Sequence, residues 1–150
     1  MASEPDPFDL ARFVQAQARS YDRALAEIRA GQKESHWMWY VFPQIAGLGF
    51  SPTSRKFAIR GRAEASAYLA HPVLGPRLVA CAEALLALPS GTPAEHVFGW
   101  PDHLKLRSSA TLFAQVAPPG SVFAQVIERY FAGEPDAKTL RLLEKRQGGA

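Results

Sequence analysis

S-H-W-M-W-Y-V-F-P-Q-I-A-G-L-G, Ser35 to Gly49, decides whether this chain is built from helices alone or from helices and strands. His36 to Phe42 holds four aromatics and a histidine in seven residues, and Pro43 follows at once. Aromatics favour strands. The run nevertheless reads as a short helix over 34–42, because it lacks the alternation of a half-buried strand and the rest of the chain offers no convincing partner strand. Pro43 closes it, since proline pushes the preceding residue toward extended geometry. Residues 44–50 then read as a loop with Gly47 and Gly49. On a helix, His36 and Tyr40 share one face, Trp37 and Val41 another, Met38 and Phe42 a third. Apolar groups in every direction leave two readings open: a plug buried among other helices, or a wall of a cleft.

The flanking sequence is helical in the same sense. Leu10, Phe13, Val14, Tyr21, Leu25 and Ile28 recur at helical spacings and predict one amphipathic helix from about Pro7 to Ala30, with Arg12, Gln15, Arg19 and Glu27 on other faces. Asp6 is its expected N-cap, Pro7 its first residue and Gly31 its stop. Ser51-Pro52, His71-Pro72 and Thr92-Pro93 each put a polar residue before a proline fit for a first helical turn, and Thr92 to Glu95 has capping-box spacing. Helices follow at about 52–59, 62–70, 72–88 and 93–98. Asp102, Ser121 and Asp136 as N-caps add 102–117, 121–132 and 137–146. The 72–88 helix, with Arg77 and Glu83 its charged residues, is the expected centre of the bundle. Glu83 is expected in or near the core, paired with a histidine or arginine.

A chain of 150 residues, 47% hydrophobic and 21% charged, suits one globular domain over 1–150, with an ordered core at about 7–146 and a frayed tail beyond. No 20–50-residue period repeats. The longest uncharged stretch, 35–54, is too broken to span a bilayer, and the N-terminus lacks the apolar core of a secretory signal. Cys81 is the one cysteine, so an internal disulfide is excluded and a reducing, cytoplasmic setting is the default. It sits in the most apolar helix and is expected to be an inert core thiol. His36, His71, His96 and His103 show no metal-ligand spacing, and no nucleophile elbow or phosphate-binding glycine loop occurs, so no metal or cofactor is implied.

Two constellations point to binding. His36, Trp37 or Trp39, and Gln44 would face a cleft if the aromatic run is a wall. In F-G-W-P-D-H-L-K-L-R-S-S-A-T-L-F, Phe98 to Phe113, a helix capped by Asp102 places Lys105, Ser108, Ser109 and Leu112 on one stripe beside Leu106, Ala110, Phe113 and Val116. A lysine with hydroxyls a turn away can hold an anion. The alternative is that Lys105 pairs with a carboxylate while the serines pack against another helix. Net charge is +3, yet no acid lies between Glu34 and Glu64, where Arg55, Lys56, Arg60 and Arg62 fall. That group is a solvated face or, with the tryptophans exposed, a single-stranded nucleic-acid surface. The charge overall does not favour a dominant nucleic-acid face.

Taken together these blocks resemble a known family. His36-Trp37-Met38-Trp39, Phe42-Pro43-Gln44, Gly47-Leu48-Gly49 and Ser51 follow its first block. Ala67-Tyr68-Leu69, His71-Pro72, Leu74-Gly75 and Arg77-Leu78 follow its second; Phe98-Gly99, Pro101-Asp102, Lys105-Leu106, Ser108-Ser109 and Thr111-Leu112-Phe113 its third; and Tyr130-Phe131 with Gly133 its last. The family is the bacterial domain of unknown function 1810, whose members are sometimes mislabelled calpastatin, and the resemblance runs from about Pro7 to Leu143. It implies a mainly helical single domain with helices in a superhelical array, and no activity, substrate or catalytic residue. Phe57 and Ala110 stand where the family pattern has tyrosine and methionine.

The sequence therefore predicts an all-α single domain of seven to nine short helices. Its leading functional expectation is a binding module or small enzyme whose cleft takes a small anionic or nucleotide-like ligand through His36, Trp37, Trp39, Gln44, Ser51, Lys105, Ser108 and Ser109. The alternatives are a structural or protein-interaction domain whose aromatics are only core, and single-stranded nucleic-acid binding through Arg55, Lys56, Arg60 and Arg62. The oligomeric state is left open.

Overall fold

The computed structural model describes residues 6–148. They form ten helices: α1 (Ala11–Gln17), α2 (Tyr21–Arg29), α3 (Met38–Val41), α4 (Pro52–Lys56), α5 (Arg62–Ala70), α6 (Leu74–Leu86), α7 (Ala94–Phe98), α8 (Asp102–Ala114), α9 (Val122–Phe131) and α10 (Ala137–Gly148). The protein is all-α, with one isolated parallel bridge between Ile45 and Ile59 among the described residues. The end of the expected frayed tail, Gly149 and Ala150, lies outside those residues.

There are ten helices rather than seven to nine because the expected 7–30 helix is two. The Ser20 hydroxyl donates to the Ala16 carbonyl at 2.9 Å and bonds the Tyr40 hydroxyl at 2.9 Å, so the chain turns at 18–20 although its apolar spacing continues. Asp6 is not the N-cap and Pro7 not the first residue: α1 begins at Ala11 with Leu10 at the cap position, and the Asp6 carboxylate accepts the amides of Leu10 and Ala11 from the turn before it. Gly31, at φ +75°, ends α2 with the paired bonds of a Schellman turn, Gly31 N–H to Ile28 and Gln32 N–H to Glu27. Ser51 and Ser121 cap α4 and α9 as expected. Thr92 does not cap α7; its hydroxyl turns back to the Pro89 carbonyl. Asp102 is the first residue of α8 rather than its cap, because its carboxylate is taken by two lysines.

The expected 34–42 helix shrinks to α3. Glu27 explains this: its carboxylate accepts from the amides of Glu34 and Ser35, at 2.8 and 2.9 Å, from the Ser35 hydroxyl, and from the Trp37 indole at 2.9 Å. Those bonds hold 34–37 out of the helix. Glu27 is thus buried, not on a polar face. Arg12 is also drawn inward, pairing with Glu64 at 2.7 Å while donating to the carbonyls of Phe8, Asp9, Lys56 and Ala58. Glu83, by contrast, is exposed: α6 buries Leu74, Leu78, Cys81, Ala82 and Leu85, and position 83 falls on the opposite side.

The central helix is α8, not α6. It packs against α5, α7, α9 and α10, and Ser108 to Phe113 are buried without interruption, so this segment is enclosed all round. A file of rings crosses the core from α1 to α9: Phe13 on Tyr68 at 5.1 Å, Tyr68 on Phe113 at 5.3 Å and Phe113 on Phe123 at 5.8 Å. Such pairs add about 0.5–1.5 kcal/mol each beyond area burial. The turn from α5 into α6 depends on Gly75, where a Cβ would lie 2.0 Å from the Leu69 carbonyl oxygen. Arg129 of α9 closes the far end of α6 by donating to the carbonyls of Leu85, Leu86, Leu88 and Pro89. Cys81 is fully buried, and burial pushes its thiol up to about 12.

Candidate functional site

Pro43 ends α3, and the chain returns to α4 through a loop whose two glycines are required. Gly47 adopts φ +103° with the Leu142 side chain against it, and a Cβ on Gly49 would meet the Ser54 hydroxyl oxygen at 2.6 Å. The Ile45–Ile59 bridge fixes the loop from below, with the Ala46 amide on the Ile59 carbonyl and the Ile59 amide on the Gln44 carbonyl, both at 2.8 Å. This loop, the first turns of α8 and the start of α10 enclose an open groove of about 500 Å³.

Trp39, Gln44 and Ser51 form one side of the groove, Lys105 and Ser108 the other, and Asp136 and Lys138 the end. The structure thus brings together five of the eight residues singled out from the sequence. It separates the other three. Trp37 is fully buried, stacked edge-on against Phe98 and hydrogen-bonded to Glu27, so its ring is core. His36 is exposed and stands outside the groove, because α3 begins only at Met38. Ser109 points into the core, and its hydroxyl is buried without a partner among the described residues. A smaller hollow of about 130 Å³ shares Trp39, Gln44, Leu48, Gly49 and Ser54 with the groove and extends to Arg55.

The electrostatics begin at Asp102. Its carboxylate holds Lys33 and Lys105, each at 2.9 Å. Burial opposes ionisation of Asp102, but the hydrogen bonds from Lys33 and Lys105 outweigh it and keep its carboxyl below the ordinary range. The three groups together carry one net positive charge. Lys105 spends one N–H on Asp102 and poises its ammonium 4.7 Å from the centre of the Trp39 ring, which leaves donor capacity toward the groove. Asp136 is a structural acceptor: its Oδ2 takes bonds from Ser108, from the Thr139 amide and from the Thr139 hydroxyl, while its own amide donates to Thr111. Ser108 also donates to the Leu104 carbonyl. Its hydroxyl is therefore engaged rather than poised for attack.

The sequence reading missed Phe50, Leu104, Asp136 and Lys138 as groove residues. Phe50 is 73% exposed and Leu104 45%, and nearby in sequence Trp100 is 73% exposed. Phe50 stands between Gly49 and the Ser51-Pro52 cap, outside any periodic segment, and that isolation was its one legible mark. Of the basic group, Arg62 turns away to the Gln115 carbonyl at the end of α8, whereas Arg55, Lys56 and Arg60 share a separate concavity. Among the described residues no cluster of three or more metal-ligating side chains occurs, and no single helix is long and apolar enough to cross a membrane.

These features define an all-α domain with a groove built on a glycine loop and a lysine-bearing central helix. The chain matches the model of the family described as "Protein of unknown function (DUF1810)" over residues 7–143, and it belongs to that family. It is similar to the conserved hypothetical protein Rv1873 from Mycobacterium tuberculosis, known from a crystal structure, with 47% identity, a TM-score of 0.90, and coverage of 93% of this chain and 99% of that one. No curated protein matches the chain.

Proposed function

We propose that the protein is a small-molecule binding module whose groove takes a ligand with a flat ring and an anionic group. The observation that supports this reading is the meeting of Trp39, Gln44 and Lys105 in one hollow of about 500 Å³, a size suited to a nucleotide-sized molecule. The ring lies along the Trp39 and Phe50 side, and Gln44 and the Ser51 hydroxyl fix its polar edge. Lys105 and Lys138 face the anion. Binding is favoured over catalysis, because the hydroxyl of Ser108 and the carboxylate of Asp136 are both committed to holding α8 and α10 together.

The test is a thermal-shift screen with nucleotides and sugar phosphates on the wild type and on Lys105→Ala. A true ligand at about one hundred times its Kd stabilises the fold by about 2.7 kcal/mol. Lys105→Ala loses that gain. A ligand that stabilises both proteins equally sinks the placement. The exposed Phe50, Leu104 and Trp100 favour a second reading, an interaction surface at the mouth of the groove. Concentration-dependent self-association that disappears in Phe50→Ser with Trp100→Ser would favour it over the first.

A further inference from the structure

We infer that the concavity bounded by Arg55, Lys56 and Arg60 is a phosphate subsite, reached by a ligand whose ring sits in the Trp39 groove; the second half of this statement rests on the groove reading above. The concavity holds about 340 Å³. Its floor is Ala46 and Ala58, whose short side chains leave it open. The backbone bonds that tie Ala46 and Gln44 to Ile59 fix that floor.

Charge is the second observation. Arg12 lines the concavity too, but its guanidinium is consumed by carbonyls and by the fully buried carboxylate of Glu64, so that pair is neutral. What remains is Arg55, Lys56 and Arg60 against Asp9, an excess of two positive charges. A phosphate monoester carries about −1.5 to −2 near neutral pH, so the charges match. Arg60 is 61% exposed, with its Nε on Glu64, and Lys56 rests against the Phe57 ring. The guanidinium of Arg55 has no partner among the described residues, which leaves its planar fork of donors for two oxygens of a doubly charged phosphate. The absence of any acid between Glu34 and Glu64 keeps this charge uncompensated from its own segment.

Continuity is the third. Arg55, Ala46 and Ala58 line both this concavity and the smaller hollow that shares Trp39 and Gln44 with the groove. One ligand can therefore present a ring to Trp39 and a phosphate to Arg55. The ligand class is a phosphorylated nucleoside or a similar ring-bearing phosphoester.

The probe is inorganic pyrophosphate, titrated at constant ionic strength and followed by amide chemical shifts. The expected result is saturable movement at Ala46, Arg55, Lys56, Ala58 and Arg60. Arg55→Gln weakens binding about tenfold, the loss of one charge-assisted hydrogen bond, with the melting temperature unchanged because that guanidinium holds nothing else in place. Arg19→Gln, at an exposed arginine that lines neither the concavity nor the groove, leaves pyrophosphate binding intact. Equal shifts with chloride, or an Arg55→Gln affinity within about twofold of wild type, overturns the subsite. Tighter, strongly salt-dependent binding of a single-stranded oligonucleotide overturns its assignment to a small ligand. A nucleoside monophosphate titrated into Arg55→Gln, followed by indole fluorescence, tests the groove alone, since Lys105 and Lys138 still face its anion. Failure there removes the groove reading and the linked ligand while the pyrophosphate result stands on its own.

Discussion

Replacing Glu27 with glutamine removes one charge from the centre of the fold while keeping its size and an acceptor oxygen. In the wild type, two backbone amides, a hydroxyl and the Trp37 indole converge on this carboxylate. Burial opposes its ionisation, but the bonds from Ser35, Glu34 and Trp37 prevail and hold its pKa at about 2, against an ordinary 4.5. At about 1.4 kcal/mol for each tenfold change in proton affinity, that gap contributes about 3 kcal/mol. A second route gives the same figure: a hydrogen bond to a charged acceptor exceeds a neutral one by about 1 kcal/mol, and several such bonds weaken together. The folded pKa lies below the unfolded one, so the contribution is complete above about pH 4.5, falls as the carboxyl protonates, and is gone near pH 2. Urea unfolding of Glu27→Gln should show a deficit of about 3 kcal/mol at neutral pH, or roughly 6–12 °C in melting temperature, that narrows on acidification. A variant as stable as wild type at neutral pH, or a deficit that stays constant into acid, refutes the reasoning.

Gly75→Ala drives a methyl group into the Leu69 carbonyl and is expected to cost about 3 kcal/mol or more; a loss below about 1 kcal/mol in urea unfolding means that α5 and α6 can part without harm. Arg129→Lys keeps the charge but not the fork that serves four carbonyls, so a loss of about 2 kcal/mol is expected, with faster amide exchange at residues 86–91. Unchanged stability and exchange would show that water satisfies those carbonyls instead.

Much of this architecture was legible because it is written in short-range chemistry. Ser51 before Pro52, Ser121 before a periodic run and Gly31 after one act on neighbours within four residues, and the helix ends they mark came out where expected. What failed depended on distant partners. Glu27 has helical spacing that puts it on a polar face, yet residues seven to ten positions on bring four donors to it. Arg12 looked solvent-facing until Glu64 arrived from 52 residues away. Trp37 and Trp39 differ by two positions, and the sequence holds no rule for which is core. The late start of α3 decides it, and Glu27 sets that start. The groove was half legible: Lys105, Ser108 and Gln44 meet as the blocks suggested, whereas His36 fell outside because the helix expected to carry it does not form there.

The staple at Arg12 also orders events during synthesis. The segment that becomes α1 leaves the ribosome before the acceptors for its guanidinium at Lys56, Ala58 and Glu64, which lie 44, 46 and 52 residues later. Until those residues emerge, a long unpaired side chain and the apolar stripe of Leu10 and Phe13 must wait together. Helix α1 is therefore made before its acceptors and locked only after them, and a newborn chain halted before Glu64 would expose that stripe to whatever chaperone meets it.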